Sequence, residues 1–359
     1  VIHFGPNTTR EPIMERDTLT FSDQEIKMRI DSSKHILKDV DQIINWKRIN
    51  KLLGNLELRR KHVCGRDSFS PEVMFRIMLL QGWYSLSDYQ IEEQLGLNIM
   101  YQWFCRLSFE NPVPDHSTIC RWRSRFSQRD MFEKLLSEIN RQLEQHGLKI
   151  KSGLIVDATL IESQARPRKK EIIETEPVGD EEIPGRETFQ MTELNVVESK
   201  DPDAKWIKKG KASTYGYKGH VAVDQENGLI ADVIVTPANR YDGHLLPDLV
   251  ARIDPAPSTE VLADKGYDSE ENNTFLESRN LVPKIMRKKK KNQAPDPELK
   301  EFNYAISQKR YKVEQTFGGL KKHFGWGRSI YLGLEKTKNY LILGAIAFNL
   351  TRSLKILRT

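Results

Sequence analysis

The sequence is short of cysteine and of long hydrophobic runs, and both shortages restrict the class of protein. Its 359 residues include three cysteines, Cys64, Cys105 and Cys120, which are odd in number and widely spaced. Such a set forms neither a disulfide framework nor a zinc-binding cluster, and it indicates a reducing compartment. The longest nearly apolar run, residues 340–350, is shorter than the roughly 20 residues that a membrane-spanning helix needs. We therefore expect a cytoplasmic protein without a membrane partner.

A strong charge of either sign is also missing. The 56 lysines and arginines stand against 50 aspartates and glutamates, which leaves a net charge of +6. This modest basic excess permits nucleic-acid binding without demonstrating it. A hydrophobic content of 38% in a chain of this length is sufficient for two domains with proper cores.

Helix signals dominate residues 66–150. Ser70 is a helix cap followed by Pro71 in the first turn, and Ser87 opens a capping-box pattern. We expect residues 66–150 to form an all-helical DNA-binding domain. The extension before it, residues 1–65, gives little indication of structure or function.

A short basic helix, capped by Asp115 or Ser117, is predicted within this helical region. Its apolar residues fall on one face, and Arg121, Arg123 and Arg125 are expected on the exposed remainder. These arginines would contact DNA if the helix is the recognition part of a helix-turn-helix unit. An equally weighted interpretation is a helical bundle whose basic face is only solvated.

The run from Gly153 to Ile161 is apolar and partly β-branched, which is typical of a buried strand, and it holds Asp157 in its middle. A buried carboxylate must be paired, protonated or bound to a metal. No basic residue lies within five positions of it. Asp157 is therefore either an ion-paired residue near a strand end or one ligand of a metal site whose other ligands are distant in sequence.

A second carboxylate, Asp264, follows another short apolar run, residues 260–263, and a glycine two residues later lets the chain turn. A parallel strand that arrives after a helix ends at the sheet edge where α/β folds carry their sites. We therefore expect Asp264 to share that edge with Asp157.

Composition changes abruptly between these two strands. Residues 171–203 contain eleven acidic residues against two basic ones, so we predict a flexible acidic insertion over residues 165–213. Ordered structure is expected to resume at Thr214, in a hairpin closed by an Asn-Gly turn. Lys218, in its first strand, is expected to contact DNA.

Two further elements between the acidic insertion and Asp264 leave alternatives open. His220 and the turn at residues 239–244 either line the site or serve only as a satisfied histidine and a structural turn. The sequence favours the structural interpretation by about two to one.

Basic residues cluster again after Asp264. Residues 287–291 are one arginine and four lysines, in which Lys289 and Lys290 are candidates for contact with DNA phosphates. The alternative is a solvated surface loop.

Arg310, Glu314 and Lys321 lie within about 40° of one another on a predicted helix with about 100° per residue. Arg310 and Lys321 would hold DNA phosphates, and arginine can do so with two parallel hydrogen bonds. The pair Gly318-Gly319 costs about 2 kcal/mol relative to alanines in a helix interior. It predicts a kink, a break or a close backbone approach.

Two strand-end aspartates and a helical glutamate form an oxygen-rich set that suits a hard divalent cation, Mg²⁺ or Mn²⁺. Two such ions, held by Asp157, Asp264 and Glu314, can activate a water or a 3′-hydroxyl beside a phosphodiester and stabilise the leaving oxygen. This chemistry needs no nucleophile from the protein.

The segments around these residues resemble the catalytic blocks of bacterial insertion-sequence transposases of the DDE type, in particular the insertion-sequence-five family. The resemblance implies a ribonuclease-H-like mixed sheet with flanking helices over residues 151–355, behind the helical region. One departure is that Ser307 stands where the related families place a tyrosine. The matching blocks are Val-Asp-Ala-Thr-Leu-Ile-Glu-Ser at 156–163, Ala-Asp-Lys-Gly-Tyr-Asp at 263–268 and Arg310-x₃-Glu314-x₆-Lys321.

The same resemblance implies Asp157, Asp264 and Glu314 as catalytic ligands of two Mg²⁺ ions, which Mn²⁺ can replace. It also implies nicking of the element's ends and attack of the freed 3′-hydroxyl on target DNA. Double-stranded DNA, as ends and as target, is the expected partner of a homo-oligomer in the bacterial nucleoid. Two alternatives are a nuclease that does not join and a catalytically spent DNA-binding protein, although the presence of all three carboxylates argues against the second.

Overall fold

The computed structural model describes residues 21–56, 68–108, 112–167, 199–209, 212–289 and 296–358. Twelve α-helices and six β-strands lie in these ranges. The helices are α1 (Phe21–Ser32), α2 (Ile36–Ile43), α3 (Trp46–Leu53), α4 (Pro71–Tyr84), α5 (Asp88–Leu97), α6 (Ile99–Phe104), α7 (His116–Ser127), α8 (Met131–Gln145), α9 (Leu246–Ile253), α10 (Glu270–Ser278), α11 (Pro297–His323) and α12 (Leu334–Leu357). The strands are β1 (Leu154–Glu162), β2 (Lys205–Lys209), β3 (Ala212–Asp224), β4 (Ile230–Pro237), β5 (Glu260–Ala263) and β6 (Val282–Ile285).

The six strands form one mixed sheet. β1 is central, with β3 antiparallel on one side and β5 parallel on the other, and β6 pairs parallel with β5. β3 is long enough to pair with β2 near its start and with β4 over the rest of its length. The order β4, β3, β1, β5, β6 combines an antiparallel meander with two parallel strands. The ribonuclease-H-like fold predicted from the sequence is thereby confirmed.

Helix α12 is the central element that joins the helical region to the sheet. It packs against α4 and α8 on the helical side and against β4 of the sheet. By length and composition it could cross a membrane, but 72% of its most apolar 18-residue window is buried inside the protein. This burial is that of a core helix, as the sequence predicted. A continuous hydrophobic core therefore includes residues of both regions.

Two buried asparagines add a polar connection at the same place. Asn349 of α12 donates to Asn140 of α8 and to the carbonyl of Ile230, each at 2.8 Å. The Asn349 side-chain oxygen accepts from the Ile230 N–H, also at 2.8 Å. Because buried amides need such partners, the contact fixes how α8, α12 and β4 fit together.

Local signals at helix starts were predicted well. The Ser70 hydroxyl accepts from the Val73 N–H, and Ser87 forms the predicted capping box. Of the two candidate caps for α7, Asp115 is the one that caps, accepting from the Thr118 N–H at 2.6 Å.

The C-terminal limit of the predicted acidic insertion was wrong. β2 lies inside it and β3 begins at Ala212, two residues before the predicted resumption of order. Asp201 is fully buried, and the Tyr217 hydroxyl and the Gly333 N–H donate to its carboxylate. Residues 168–198 and 210–211 of the insertion lie outside the described residues.

Helix α11 continues unbroken through Gly318-Gly319. A Cβ at Gly319 would lie 3.1 Å from Cε2 of Phe348 on α12, whereas one at Gly318 would meet nothing within 4 Å. Of the three alternatives for this pair, the close backbone approach is confirmed at Gly319.

Candidate active site

Asp157 and Asp264 are brought together at one edge of the sheet. Val156 of β1 pairs with Ala263 of β5, and each aspartate is the next residue of its chain segment. Burial raises the pKa of Asp157, and the nearby charge of Asp264 raises it further, while Arg310 opposes this increase. Two neighbouring carboxylates in a partly desolvated site repel each other, so a nearby positive charge stabilises both.

Each aspartate has one oxygen held by the backbone. The Ala158 N–H donates to Oδ1 of Asp157 at 2.8 Å, and the Gly266 N–H donates to Oδ1 of Asp264 at 2.7 Å. The second contact belongs to a 3₁₀ turn, Lys265–Tyr267, that directly follows Asp264. Both carboxyl groups are therefore fixed in orientation by short local contacts.

Arg310 supplies the positive charge. Its guanidinium reaches from α11 to Oδ2 of Asp157 at 2.6 Å, and the two side chains are only 12% and 18% exposed. The Nε of Arg310 is buried and has no hydrogen-bond partner among the described residues. Arg310, predicted to hold DNA phosphate, is here the counter-charge of a catalytic candidate, and one of its donors is unsatisfied.

Glu314 is not brought into this group. Its side chain is exposed on α11, one turn beyond Arg310. Within the described ranges, no three His, Cys, Asp or Glu side chains stand close enough to hold a metal ion. The structure thus assembles two of the three predicted ligands.

The donors present nevertheless fit a hard divalent cation. They are carboxylate oxygens, which such cations prefer. The guanidinium of Arg310 already places a positive charge against Asp157, where a metal ion would bind. Burial that raises the pKa of Asp157 favours neutralisation by such a charge.

Lys218, predicted to contact DNA, is not exposed in the structure. It is buried beside Asp242, whose Oδ1 accepts from its ammonium at 2.7 Å, and it also donates to the Arg240 carbonyl at 2.7 Å. A buried ammonium needs such partners, so Lys218 positions the turn that follows β4.

His220 is fully buried, with Nε2 2.9 Å from the Thr236 hydroxyl. Burial lowers its pKa to about 4, against the opposing charge of Asp242 and with the help of Lys218. His220 is therefore neutral at pH 7. Its Nε2 contact is what a structural histidine would make, but its Nδ1 is buried without a hydrogen-bond partner among the described residues, so the histidine is only partly satisfied.

The turn at residues 239–244 lies directly against the site. The Tyr241 hydroxyl donates to the carbonyl of Gly266, two residues beyond Asp264. Tyr267, on the same 3₁₀ turn, is buried, with a hydroxyl that has no partner within the described part of the chain. The sequence offered the turn at residues 239–244 as a possible lining of the site, but it did not single out Tyr241 or Tyr267.

The three arginines of α7 have three different environments. Arg123 is buried, donates to Asp88 and Gln81, and lies 4.6 Å from the ring centroid of Tyr331. Its predicted place on the exposed face was wrong because Asp88 supplies a buried counter-charge. Arg121 is exposed, and Arg125 lies over the Trp122 ring.

The remaining predicted DNA contacts lie near the surface. Lys289 follows β6 and is exposed, as is Lys321 near the end of α11. Lys290 lies outside the described residues. Nearby, the Lys288 N–H donates to Asp268 at 2.8 Å, so the basic run starts close to the 3₁₀ turn after Asp264.

Comparison with known proteins decides the family. Residues 149–350 match the family model described as transposase DDE domain, and residues 24–125 match one described as transposase domain (DUF772). The chain belongs to the DDE transposase family. It is therefore a DNA-cleaving and strand-transferring transposase whose activity depends on divalent metal.

This transposase is similar to proteins of known sequence and structure. It is 37% identical over 249 residues to the transposase for insertion sequence element IS1106 from Neisseria meningitidis serogroup B, covering 69% of this chain and 80% of that protein. The piggyBac transposase synaptic complex with hairpin DNA is 10% identical, with a TM-score of 0.43, covering 90% of this chain and 73% of that one. The Mos1 strand transfer complex is 10% identical, with a TM-score of 0.23, covering 93% and 91%.

Proposed function

We propose that Asp157, Asp264 and Glu314 hold two Mg²⁺ ions, and that the transposase uses them to cut the ends of its insertion sequence and join them to target DNA. The observation that supports this best is the Asp157–Arg310 ion pair beside Asp264. It identifies the point in the described structure where a largely buried carboxylate, Asp157, already binds a cation beside a second carboxylate. Mn²⁺ would serve as a substitute because it prefers the same oxygen ligands.

Bound divalent ions supply a nucleophile at neutral pH and stabilise the leaving oxygen. The protein's own part is to fix the carboxylates and to exclude other charges. Ala158 and Gly266 orient Asp157 and Asp264 through backbone N–H groups.

Arg310 has two successive roles in this proposal. In the free protein it neutralises Asp157, and its buried Nε is left without a partner. A DNA phosphate offers the planar guanidinium two acceptor oxygens and so satisfies more of its donors. Transfer of Arg310 from Asp157 to phosphate would free the carboxylate for metal.

Glu314 completes the ligand set in the DNA-bound state. It lies one turn after Arg310 on α11, the helix that packs on β1 and β5. Departure of the guanidinium would leave room beside Asp157 for the glutamate side chain, which is free to reorient because it is exposed.

DNA binding is proposed for exposed or half-exposed cations on both regions. Arg121 and Arg125 on α7 would contact the element's end, and Lys289 and Lys321 would contact phosphates near the catalytic edge. Lys290 is proposed from sequence alone. Two or more copies would act on paired ends, because joining both ends to one target needs two catalytic sites. Nucleoid association would follow from DNA binding.

The direct test is strand transfer of a labelled, pre-nicked element end into plasmid with Mg²⁺. We expect joining by the native chain, and its loss without loss of end binding in Asp157→Asn, Asp264→Asn and Glu314→Gln. Glu298→Gln, on the first turn of α11, is the matched control and should join normally. Cutting without joining by the native chain would instead favour a nuclease, and full activity of Glu314→Gln would remove Glu314 from the site.

A further inference from the structure

Tyr241 presents an aromatic ring to solvent next to the catalytic carboxylates. The residue is 50% exposed, yet its hydroxyl is bound to the carbonyl of Gly266 in the turn after Asp264. The ring also makes a T-shaped contact with His244, with centroids 5.1 Å apart. Its orientation is therefore set at both the hydroxyl and the ring, although half of its surface is open.

Buried polar residues hold the turn that carries this ring. Lys218 binds the Arg240 carbonyl and the Asp242 carboxylate, on either side of Tyr241. From the other side, the buried amide of Asn272 donates to the carbonyls of Gly243 and Tyr267, at 3.0 and 2.9 Å. Burying a lysine and an asparagine is unfavourable without such bonds, so two desolvated side chains serve to fix one exposed tyrosine.

Gly243 permits the close approach of this turn to the site. A Cβ there would lie 2.6 Å from Cε1 of Tyr241 and 3.0 Å from the Gly266 carbonyl. Any larger residue would push the tyrosine away from the Asp264 turn. The position of the ring relative to Asp264 is therefore built into the backbone.

Exposed basic residues lie on both turns that hold the ring, alongside the carboxylates of Asp242 and Asp264. Arg240 precedes Tyr241 in the chain, Lys265 follows Asp264, and both basic side chains are exposed. An immobilised aromatic face with exposed cations on the same two turns can bind a nucleic-acid base while the nucleic-acid backbone is held electrostatically. A rigid ring also loses little conformational entropy on binding.

We propose that Tyr241 stacks on an unpaired base of the DNA end beside the phosphodiester that is cut, and so positions that phosphodiester at Asp157 and Asp264. This inference rests on the proposed function, because it assumes that the cut phosphate lies at the two aspartates. Lys218 and Asn272 are positioning residues for the ring, and Tyr241 is the residue that touches DNA.

The test is a double-mutant cycle in which one change is made in the protein and the other in the DNA. The DNA is the terminal sequence of the element that encodes the chain, with one abasic site placed in turn at each nucleotide around the cut. Binding is measured by fluorescence anisotropy without divalent metal, so that no cutting occurs. We expect Tyr241→Ala to weaken binding of intact ends about tenfold. At one nucleotide, an abasic site should weaken binding by the native chain by the same factor as Tyr241→Ala does on intact ends. The same abasic site should not weaken binding by Tyr241→Ala any further.

Tyr241→Phe keeps the ring and should retain the coupling to that nucleotide. Tyr304→Ala is the matched control, since Tyr304 is 64% exposed on α11 but has no such position beside Asp264. Independent effects of Tyr241→Ala and the abasic site at every position would overturn the proposal, as would native affinity of Tyr241→Ala. Circular dichroism spectra of the variants show that any lost binding does not come from unfolding.

Failure of this inference is distinguishable from failure of the proposed function. Asp157→Asn should lose joining and keep the coupling between Tyr241 and the base. A chain that joins DNA but shows no coupling overturns only the role of Tyr241. A chain that shows coupling but whose joining does not depend on Asp157 overturns the proposed function.

Discussion

The guanidinium of Arg310 and the carboxylate of Asp157 meet at 2.6 Å although they are 153 residues apart in the sequence. Their contact joins α11 to the central strand at the point where β1 and β5 carry the two aspartates. Because both side chains are largely buried, removal of either one would leave the charge of the other without its partner.

Arg310→Met should therefore lower the free energy of unfolding at pH 7 by about 1–3 kcal/mol, since Asp157 loses its charged partner. The measurement is urea denaturation followed by circular dichroism. Lys309→Met is the control on the same helix, because the Lys309–Glu260 pair is more exposed, and its effect should stay within about 0.5 kcal/mol. Equal losses in the two variants would contradict the special role of Arg310.

Arg121 and Arg123 lie two positions apart on α7. Replacing Arg123 should change the stability of the fold, whereas replacing Arg121 should change the affinity for DNA. Arg123→Ala should destabilise the fold by about 3 kcal/mol, because it leaves Asp88 buried without its partner. Arg121→Ala should leave the melting temperature unchanged but weaken DNA binding and reduce its salt slope by about one. Stability is read from thermal unfolding and affinity from anisotropy at several salt concentrations. A weaker salt dependence in a fully folded Arg123→Ala would contradict this assignment.

The contributions of two buried groups, His220 and Asp232, to the free energy of unfolding should nearly cancel between pH 4 and 6. Burial lowers the pKa of His220 from 6.5 to about 4, so the unfolded chain binds the extra proton and stability rises with pH. Burial raises the pKa of Asp232 from 3.8 to about 6, so the folded chain binds the extra proton and stability falls with pH.

Replacing one of the two residues should reveal the pH dependence that the other gives to the free energy of unfolding. The His220→Gln change should make the free energy of unfolding fall by about 2 kcal/mol more from pH 4 to 6 than in the native chain, and Asp232→Asn should make it rise by a similar amount. Urea denaturation at pH 4, 5 and 6 measures both. Slopes of the same sign in the two variants would show that other groups govern the pH dependence.

Adjacent glycines on α11 should differ when replaced by alanine. Gly318→Ala should raise the free energy of unfolding by about 1 kcal/mol, because it improves helix propensity where a Cβ has free space. Gly319→Ala should gain less, since its Cβ would press on the Phe348 ring at 3.1 Å. Chemical denaturation of both variants measures the difference. An equal gain in stability would mean that the Phe348 ring moves aside at no cost.

The sequence predicted features that depend on neighbouring residues. The caps at Ser70 and Ser87 are local, and so are the apolar run that contains Asp157 and the one that ends before Asp264. Once parallel pairing is assumed, the two aspartates must share one edge. The placement of the candidate site follows from these short patterns.

Features that depend on distant partners were not predicted. Arg121, Arg123 and Arg125 look equivalent in the sequence, and only Asp88, on another helix, decides that one of them is buried. Similarly, a helical stripe cannot tell whether Arg310 or Glu314 reaches β1, because that depends on how α11 lies along the strand. β2 was missed because it is only five residues long, has no alternating pattern, and follows a strongly acidic stretch.

The shared use of α12 has a consequence for the fate of damaged copies of this gene. The helices that precede the catalytic sheet complete their core only when residues 334–357 have been made. A premature stop before that helix would leave the amino-terminal half without its packing partner, and we expect such a fragment to misfold and be degraded. Broken copies of the element would then yield no folded fragment able to occupy the ends of intact copies and repress them.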